Sequence, residues 1–589
     1  MRQYRDADED EALLSTARRS ASSPLLPHHN SHHHADDDDG PAEPPIRTGV
    51  EGAPAWSHMS RAQHTLVYVT FGLLGMGVLL PFNSLITPAE YFRASFAHTS
   101  YANTFSSWIV VSYNVVSILV GIHSTATGGF ERSSPRRRII TSSAAIIVAV
   151  LCFAISTTLG GDSFTSPSPD STSIRKTPAS NSYFYFTLLL GAILSSACAY
   201  LQNSVVSLST AFGGNGAFMG CMLAGQGLVG VGISIFGLIS AWSQSEIHHP
   251  GSSAARGSSE PADSIARAAT LFFGMNSLLM GLVLAVFIWL ANTTLYAQVM
   301  AKQVATIDKI QDDELDQDAD QDRSEDDAEA EQPMVQSWHS VRSVSHPAYH
   351  SALKRVPGFH RLAPSTRESL LRLALVQDKV KWDCFAIAFV FIVTLSLFPA
   401  LTSSVQSVYT DASRHRTGNG ALDLTSPQLF VPFHFLFFNA SDLLGRTLPS
   451  LSPRAMIRKA RALVSLSLAR VVFVPLLMAC NVVSTSQRTG PITNLPSAPG
   501  QSGGAPQDSG GFGWLASILQ SSDAPFFALM LLLGLSNGLT STCIMIAGPT
   551  RSKLINSKGA SEGPLAATLL SFWLCVGLAI GSGLSFLTV

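Results

Sequence analysis

Long apolar stretches, separated by polar segments, recur along most of the 589-residue chain. A helix that crosses the hydrocarbon core of a bilayer needs about 20 predominantly apolar residues, and eleven stretches come close to that length. They cover residues 66–87, 104–122, 139–160, 183–209, 216–241, 267–291, 383–402, 427–449, 462–483, 524–547 and 565–588. None of them alternates apolar and polar residues with period two, so a transmembrane barrel is not expected, and helices remain to satisfy the backbone polar groups in lipid. The pattern predicts an all-α polytopic membrane protein with eleven transmembrane helices.

Two polar regions divide this pattern. Residues 1–60 are rich in Ser, His, Asp and Pro, which predicts a disordered cytoplasmic tail. Residues 292–381 form a large acidic loop that is predicted to be cytoplasmic and mostly disordered, although apolar residues at helical spacing over 365–380 indicate an amphipathic helix on the membrane surface. The loop separates a predicted six-helix bundle, 61–291, from a five-helix bundle, 382–589, and such a division suggests two related repeats.

The amount and placement of charged residues support a membrane protein and predict how the chain is oriented in the bilayer. Charged residues make up 13% of the chain, whereas soluble domains have about 25%, and a net charge of −2 gives no reason to expect nucleic acid as a partner. Lys and Arg concentrate in three short loops, 132–138, 454–461 and 551–558, which lie on one side of the bilayer if the N-terminus is cytoplasmic. With eleven spans the C-terminus is then predicted to be extracellular or lumenal.

Short motifs add a localisation and exclude catalysis. Residues 9–14, EDEALL, match the acidic dileucine pattern, so sorting adaptors are predicted to bind at Leu13 and Leu14 and the home membrane is predicted to be the plasma membrane or a vacuolar or lysosomal membrane. The His cluster over 28–34 is interpreted as part of a solvated low-complexity tail, and the seven cysteines lie in or beside the apolar stretches, so no metal, cofactor or disulfide framework is predicted. No catalytic triad, HExxH motif or pair of carboxylates in a cleft can be assembled, so the chain is not expected to be an enzyme.

The eighth stretch contains the clearest candidate site. Asp442 and Arg446 are four residues apart, so they share one helical face and can pair, and Asn439 lies one turn earlier on that face. Charges inside a membrane are costly and usually mark a functional site. A salt bridge that only locks two helices together explains the same pattern equally well, and the two interpretations are compatible.

Polar residues in two further stretches are weaker candidates. Gln202 lies among apolar residues in the fourth stretch, and its amide needs a partner on another helix or on a ligand. Ser536, Asn537 and Gly538 in the tenth stretch are interpreted as a structural motif for close helix packing.

Two prolines occupy similar positions in the opening helices of the two predicted bundles. Pro81 lies in the first stretch and Pro399 in the seventh. A proline removes one helical hydrogen bond and lets the helix bend, so both residues are predicted to be gating kinks. An incidental kink is the alternative.

Six motifs, in chain order, resemble those of the equilibrative nucleoside transporters. They are GLLGMGVLLPFNSLITPAEYF, GAILSSACAYLQNSVV, MLAGQGLVGVGISI, VTLSLFPALTSSV, FNASDLLGRTLP and LSNGLTSTCIMIAGP. Phe82 stands where the family has tryptophan. The resemblance implies a fold similar to the major-facilitator transporters with one span fewer, and transport of nucleosides, with nucleobases as further candidates, by alternating access.

The resemblance also implies which residues line the substrate site. By position they are Leu79, Phe82, Ile86, Gln202, Phe398, Phe435, Asn439, Asp442 and Arg446. Gln202 would pair with a base edge, Phe82 and Phe398 would offer apolar faces, and Asp442 with Arg446 would bind ribose hydroxyls. Because Arg446 favours the charged form of Asp442, facilitated diffusion is expected rather than proton coupling.

Two other functions remain open at this point. One is a facilitator or proton-coupled carrier of another small polar solute, such as a sugar. The other is a membrane receptor or scaffold that uses the long inner loop.

Overall fold

The computed structural model describes most of the apolar part of the chain. The described residues are 60–96, 99–101, 104–126, 134–160, 181–213, 216–247, 261–305, 364–399, 401–409, 424–480, 518–555 and 561–585. The predicted dileucine site at Leu13 and Leu14, the His cluster over 28–34 and the acidic part of the central loop lie outside these ranges.

Within these ranges the regular structure is helical, and each predicted stretch forms a long helix. They are α1 Arg61–Ile86, α2 Phe105–Ala126, α3 Pro135–Gly160, α4 Asn181–Ala211, α5 Ala217–Ile247, α6 Pro261–Ala291, α7 Pro364–Leu397, α8 Pro427–Leu451, α9 Ala460–Met478, α10 Asp523–Ala547 and α11 Gly563–Leu584. A short helix, Ala89–Phe96, follows α1, and a helical segment over 294–305 follows α6. The prediction of an all-α multi-pass membrane protein is confirmed.

Ten helices of the described part of the chain are long and apolar enough to cross a membrane, one fewer than the eleven predicted spans. The exception is α8, which has 25 residues but carries Asn439, Asp442 and Arg446 in its second half. These side chains lower the hydropathy of α8, and they face other helices, as described below, so the helix most important for the site is the one least typical of a membrane span.

The start of α7 differs from the sequence prediction. The segment over 365–380 is not a separate surface helix, because α7 runs unbroken for 34 residues from Pro364 to Leu397. No glycine and no internal proline interrupts it, so nothing forces a break between the amphipathic part and the apolar part. Glu562, just before α11, anchors the amphipathic part through an ion pair of 2.6 Å with Lys379.

The central loop divides the helices into α1–α6 and α7–α11, called here the first and second helix groups. Within the first group, α1 crosses α5 so closely that a Cβ on Gly75 would meet the backbone of Met222, and a Cβ on Gly225 would meet the backbone of Gly72. Only glycine permits backbones to approach in this way. In the second group α7 packs along α11 and α8 along α10.

Contacts between the two groups follow two lines. Helix α5 packs along α8, while α2 and α4 pack along α11. Asn114 of α2 donates to the hydroxyl of Ser582 of α11 at 3.3 Å, and Gly220 of α5 touches Ser450 of α8. The interface between the groups is therefore formed by a few helices: α2, α4 and α5 of the first group and α8 and α11 of the second.

The two predicted kinks occupy different environments. Pro81 is buried inside α1, as expected. Pro399 lies beyond α7, which ends at Leu397, and the peptide bond between Phe398 and Pro399 is cis. Pro399 thus lies two residues beyond the α-helix but within the same candidate membrane span, Ser369–Ser404, and its gating role stays a prediction.

Candidate functional site

Asp442 and Arg446 form a buried ion pair on α8. The Nε of Arg446 donates to Oδ2 of Asp442 at 2.7 Å, and only 5% of Asp442 and 8% of Arg446 are exposed. The pair forms because residues four apart lie above one another on a helix. A pair buried this deeply requires further hydrogen bonds to offset the loss of solvation.

Helices α10 and α5 supply those hydrogen bonds. The side-chain amide of Asn537 donates to Oδ1 of Asp442 at 2.7 Å. The Nη1 of Arg446 donates to Oε1 of Gln226 at 3.3 Å and to the backbone carbonyl of Leu223 at 3.4 Å. The ion pair therefore connects the second helix group to α5 of the first.

Glycine allows α10 to come this close to α8. A Cβ on Gly538 would meet the backbone oxygen of Asp442, so any side chain there would push Asn537 away from the carboxylate. The tenth-stretch residues that the sequence assigned to packing thus have two roles: Gly538 sets the distance between helices, and its neighbour Asn537 binds the acid.

Asn439 faces the same helix of the first group, two turns before Arg446 on α8. Its amide donates to the hydroxyl of Ser234 at 2.8 Å and to the backbone carbonyl of Phe435 at 3.1 Å. Asn439 is partly exposed, whereas Asp442 and Arg446 are buried. Two members of the predicted polar stripe of α8, Asn439 and Arg446, therefore bond to α5, whereas Asp442 between them bonds to α10.

Gln202 lies at the other line of contact between the groups. Its amide nitrogen donates to the hydroxyl of Ser571 of α11 at 2.9 Å. Gln202 is thus bonded to α11, whereas Asp442 and Arg446 are bonded to α5 and α10, so the structure holds the two ends of the predicted site on different helix pairs. Its amide oxygen and the second amide hydrogen remain available for a ligand.

The predicted aromatic residues belong to two separate aromatic clusters. Phe82 packs against Tyr113 at 5.1 Å between ring centroids, within the first group. Phe398 stacks on Phe438 at 4.1 Å and packs against Phe435 at 4.8 Å, within the second group.

The two remaining predicted lining residues lie on α1. Leu79 is partly buried, and so is Ile86, which lines a small cavity together with Phe105 and Ile109 of α2. Every predicted aromatic or aliphatic lining residue keeps part of its surface exposed, which an apolar wall of a solute pathway requires.

Sequence analysis missed three polar residues that join the ion pair. Gln226 was quoted within a glycine-rich motif without a role, and Thr394 of α7 and Arg470 of α9 were not singled out. Thr394 donates to Oδ1 of Asn537 at 2.8 Å, and Arg470 donates to Thr394 at 2.7 Å. A lone arginine inside the apolar run LSLARVVFVPLL was the signal that could have identified Arg470.

Together these side chains form a continuous buried network, called here the central polar cluster. Its members are Gln226, Thr394, Asp442, Arg446, Arg470, Ser536 and Asn537. They come from five helices, α5 and α7–α10. The cluster brings together one acid, two guanidinium groups and neutral polar groups, all of which can form hydrogen bonds. The part of the chain that the structure describes contains no group of three or more His, Cys, Asp or Glu side chains that would hold a metal ion.

Comparisons with known proteins cover most of the chain. The sequence model of a family described as nucleoside transporter matches residues 189–496 and 514–589. Equilibrative nucleoside transporter 1 of Rattus norvegicus is 26% identical over 563 residues, which cover 90% of this chain and 98% of that protein. Equilibrative nucleoside transporter 2 of Homo sapiens is 27% identical over 556 residues, which cover 90% of this chain and 97% of that protein. Among solved structures, the E. coli fucose:proton symporter FucP has a TM-score of 0.41 and 12% identity, covering 89% of this chain and 90% of that one.

Proposed function

The chain belongs to the nucleoside transporter family, and from this premise we propose that it carries nucleosides across a membrane by alternating access and facilitated diffusion. The observation that supports this function best is the buried pair of Asp442 and Arg446, which joins the two helix groups. A carboxylate and a guanidinium side by side can accept from and donate to adjacent hydroxyl groups. Ribose offers such hydroxyls, so the pair is proposed to bind the sugar.

The base end of the substrate is proposed to meet Gln202. An amide presents both a donor and an acceptor, which is the pattern that the edge of a nucleobase needs. Gln202 is bonded to Ser571, and a base edge would replace that hydrogen bond at little cost, since one hydrogen bond is exchanged for another. The aromatic stack of Phe398 with Phe438 offers a flat apolar surface beside the site.

Alternating access is proposed to break some of these bonds and keep others. The bond between Arg446 and Gln226 crosses from one helix group to the other, whereas the bond between Asp442 and Asn537 stays within the second group. Separation of the groups therefore frees donors of Arg446 and leaves Asp442 held in place. Ribose hydroxyls can take the released bonds, so binding and movement are linked at one pair of side chains.

The contacts between the groups suggest which side is closed. Gly220 at the start of α5 touches Ser450 at the end of α8, and Gly563 at the start of α11 touches Thr210 at the end of α4. If the basic loops face the cytoplasm, these contacts lie on the cytoplasmic side. Alternating access would then require these contacts to open when the site faces the cytoplasm.

Uptake of radiolabelled uridine and adenosine into cells that lack their own nucleoside transport tests the function. Saturable uptake is expected, and Asp442→Asn should lower its initial rate by about tenfold or more, because hydrogen bonds to a charged group are lost without a change in volume. Asp378→Asn is the matched control, since that carboxylate is paired at the protein surface with Lys381, and its uptake should stay at the natural level.

The same assay separates the alternatives. A carrier of sugars would be inhibited by an excess of free sugar, whereas a nucleoside site requires the base. A scaffold would lose its role on deletion of 311–332, whereas a transporter keeps its uptake. A rate that rises steeply with acidity would replace facilitated diffusion by proton coupling, and absence of saturable nucleoside uptake would refute the function.

A further inference from the structure

Arg470 is an uncommon residue for the interior of a membrane protein. It is the largest fully buried side chain of the described residues, with 1% of its surface exposed. Among those residues it makes no ion pair, and its hydrogen-bond acceptors are all neutral: the Thr394 hydroxyl at 2.7 Å, the Ser536 hydroxyl, and the backbone carbonyl of Leu533 at 3.3 Å. Its Nε has no hydrogen-bond partner in the described part of the chain.

Helix packing alone does not explain this guanidinium. Burial of a charge without a partner of opposite charge is expensive, and an apolar side chain of similar volume would hold α9 against its neighbours at lower cost. Helix α9 tightens into a 3-10 turn over Arg470–Val472, and Pro475 has no N–H to donate to the Val471 carbonyl as an α-helix would.

A chain of hydrogen bonds leads from Arg470 to Asp442, and in each bond the donor lies on the Arg470 side. Asp442 can only accept, so Asn537 must turn its NH₂ group toward Asp442 and its oxygen toward Thr394. Thr394 must then donate to that oxygen, and the lone pairs of its own hydroxyl are left to accept from Arg470. The chain of donors begins at one guanidinium and ends on the carboxylate that the other guanidinium, Arg446, binds from the opposite side.

We propose that Arg470 is a positioning residue for ribose recognition, and that it acts through Thr394 and Asn537 to fix the orientation of the Asp442 carboxylate. The inference deepens the proposed function and rests on it, because it names the residue that prepares the sugar-binding acid. A cation beside the Thr394 hydroxyl strengthens its O–H as a donor. The Thr394 hydroxyl has one proton and could instead donate it to the Val390 carbonyl, also at 2.8 Å. The cation makes this alternative hydrogen bond less favoured.

A purely structural Arg470 would behave differently in transport. If it only joined α9 to α7 and α10, its loss would lower the amount of folded protein or the rate for every permeant equally. A positioning role changes discrimination instead, because a misoriented Asp442 no longer distinguishes a ribose hydroxyl from a hydrogen. The KM ratio between uridine and its 2′-deoxy and 3′-deoxy analogues is therefore the informative measurement.

The test compares Thr394→Val with Thr394→Ser in the full chain, expressed in cells without nucleoside transport. Valine removes the relaying hydroxyl at nearly constant volume, and serine keeps it. We expect the natural protein to favour uridine over at least one deoxy analogue by about tenfold, Thr394→Val to reduce that ratio to nearly one, and Thr394→Ser to retain it. Arg470→Met should reproduce the valine result, and the double variant of Thr394→Val with Arg470→Met should lose no more than either single variant, as residues in one chain of bonds do.

Each other outcome overturns the inference. If Thr394→Val keeps the KM ratio of the natural protein between uridine and its deoxy analogues, the Thr394 hydroxyl does not orient Asp442. This conclusion holds even if Arg470→Met fails to fold. Equal KM values for uridine and both analogues in the natural protein show that Asp442 does not read the ribose hydroxyls. A natural protein without any saturable nucleoside uptake fails at an earlier step and refutes the proposed function as well, so the two failures are distinguishable.

Discussion

At the scale of single residues, the site depends on side chains that bond several partners at once. Arg446 binds a carboxylate, an amide oxygen and a backbone carbonyl on two helices. This is the pattern for which guanidinium is suited, because its donors are held in a rigid planar fork, whereas an ammonium group is a compact point charge. The charge of residue 446 is therefore less important than its geometry.

Arg446→Lys tests this view. Lysine keeps the charge but cannot span Asp442, Gln226 and Leu223 together, so we expect the initial rate of nucleoside uptake per copy at the cell surface to fall by about tenfold or more. Arg461→Lys is the matched control, because Arg461 is exposed. Unchanged uptake in Arg446→Lys would show that the fork is not needed.

Sequence alone predicted the acid, the cation and the amide of α8, because their spacing defines one helical face. It could not identify their partners. Gln226 is 220 residues from Arg446 along the chain, and Ser571 is 369 residues from Gln202. Helical periodicity relates only residues that are a few positions apart, so it cannot identify such partners. Arg470 was overlooked for a related reason: one charge hardly changes the hydropathy of a stretch of about 20 residues.

At the scale of helices, close crossings at glycine set the geometry of the cluster. Helices α8 and α10 touch through the backbone at Gly538, whereas Gly583 of α11 has nothing within 4 Å of the position a Cβ would occupy. The same substitution at these two glycines should therefore have different effects, although each lies in a helix of the second group.

Gly538→Ala should separate α8 from α10 and cost about 1–3 kcal/mol of stability, as overpacking does. Gly583→Ala is the control and should be neutral or slightly stabilising, because alanine is the better helix former. Thermal unfolding of the purified protein in detergent measures both. Equal midpoints for the two variants would contradict the close crossing.

The positions of the helices could be predicted because a membrane-spanning helix is recognised in a sequence by its length and its apolar residues. All eleven stretches became helices, yet the beginning of α7 at Pro364 was not foreseen, since the polar residues over 365–380 have the appearance of a separate surface element. The segment becomes the start of α7 because no residue between Pro364 and Leu397 interrupts the helix.

At the scale of the whole molecule, the proposed alternating access requires the two helix groups to move against each other. The contact of Gly220 with Ser450 joins the groups at one end of the α5–α8 line, and a Cβ on Gly220 would lie 3.6 Å from the Cβ of Ser450. That separation suits a disulfide bond, for which Cβ atoms are about 3.5–4.5 Å apart.

The double variant of Gly220→Cys with Ser450→Cys should therefore lose uptake on oxidation and regain it with a reducing agent. Each single variant serves as a control for the natural cysteines and should be insensitive to oxidation. Full uptake by the oxidised double variant, with the cross-link demonstrated by mass spectrometry, would argue against separation of α5 from α8 during transport.

The unbroken α7 has a mechanical consequence. A helix of 34 residues is about 50 Å long, while the hydrocarbon layer is about 30 Å thick, so roughly two fifths of its length is more than an upright span requires. Because Glu562 ties the amphipathic part of α7 to the start of α11, a fluorescent probe near Pro364 is expected to report rotation of both helices together. A protein that bound this end of α7 would then slow the carrier without contacting the substrate.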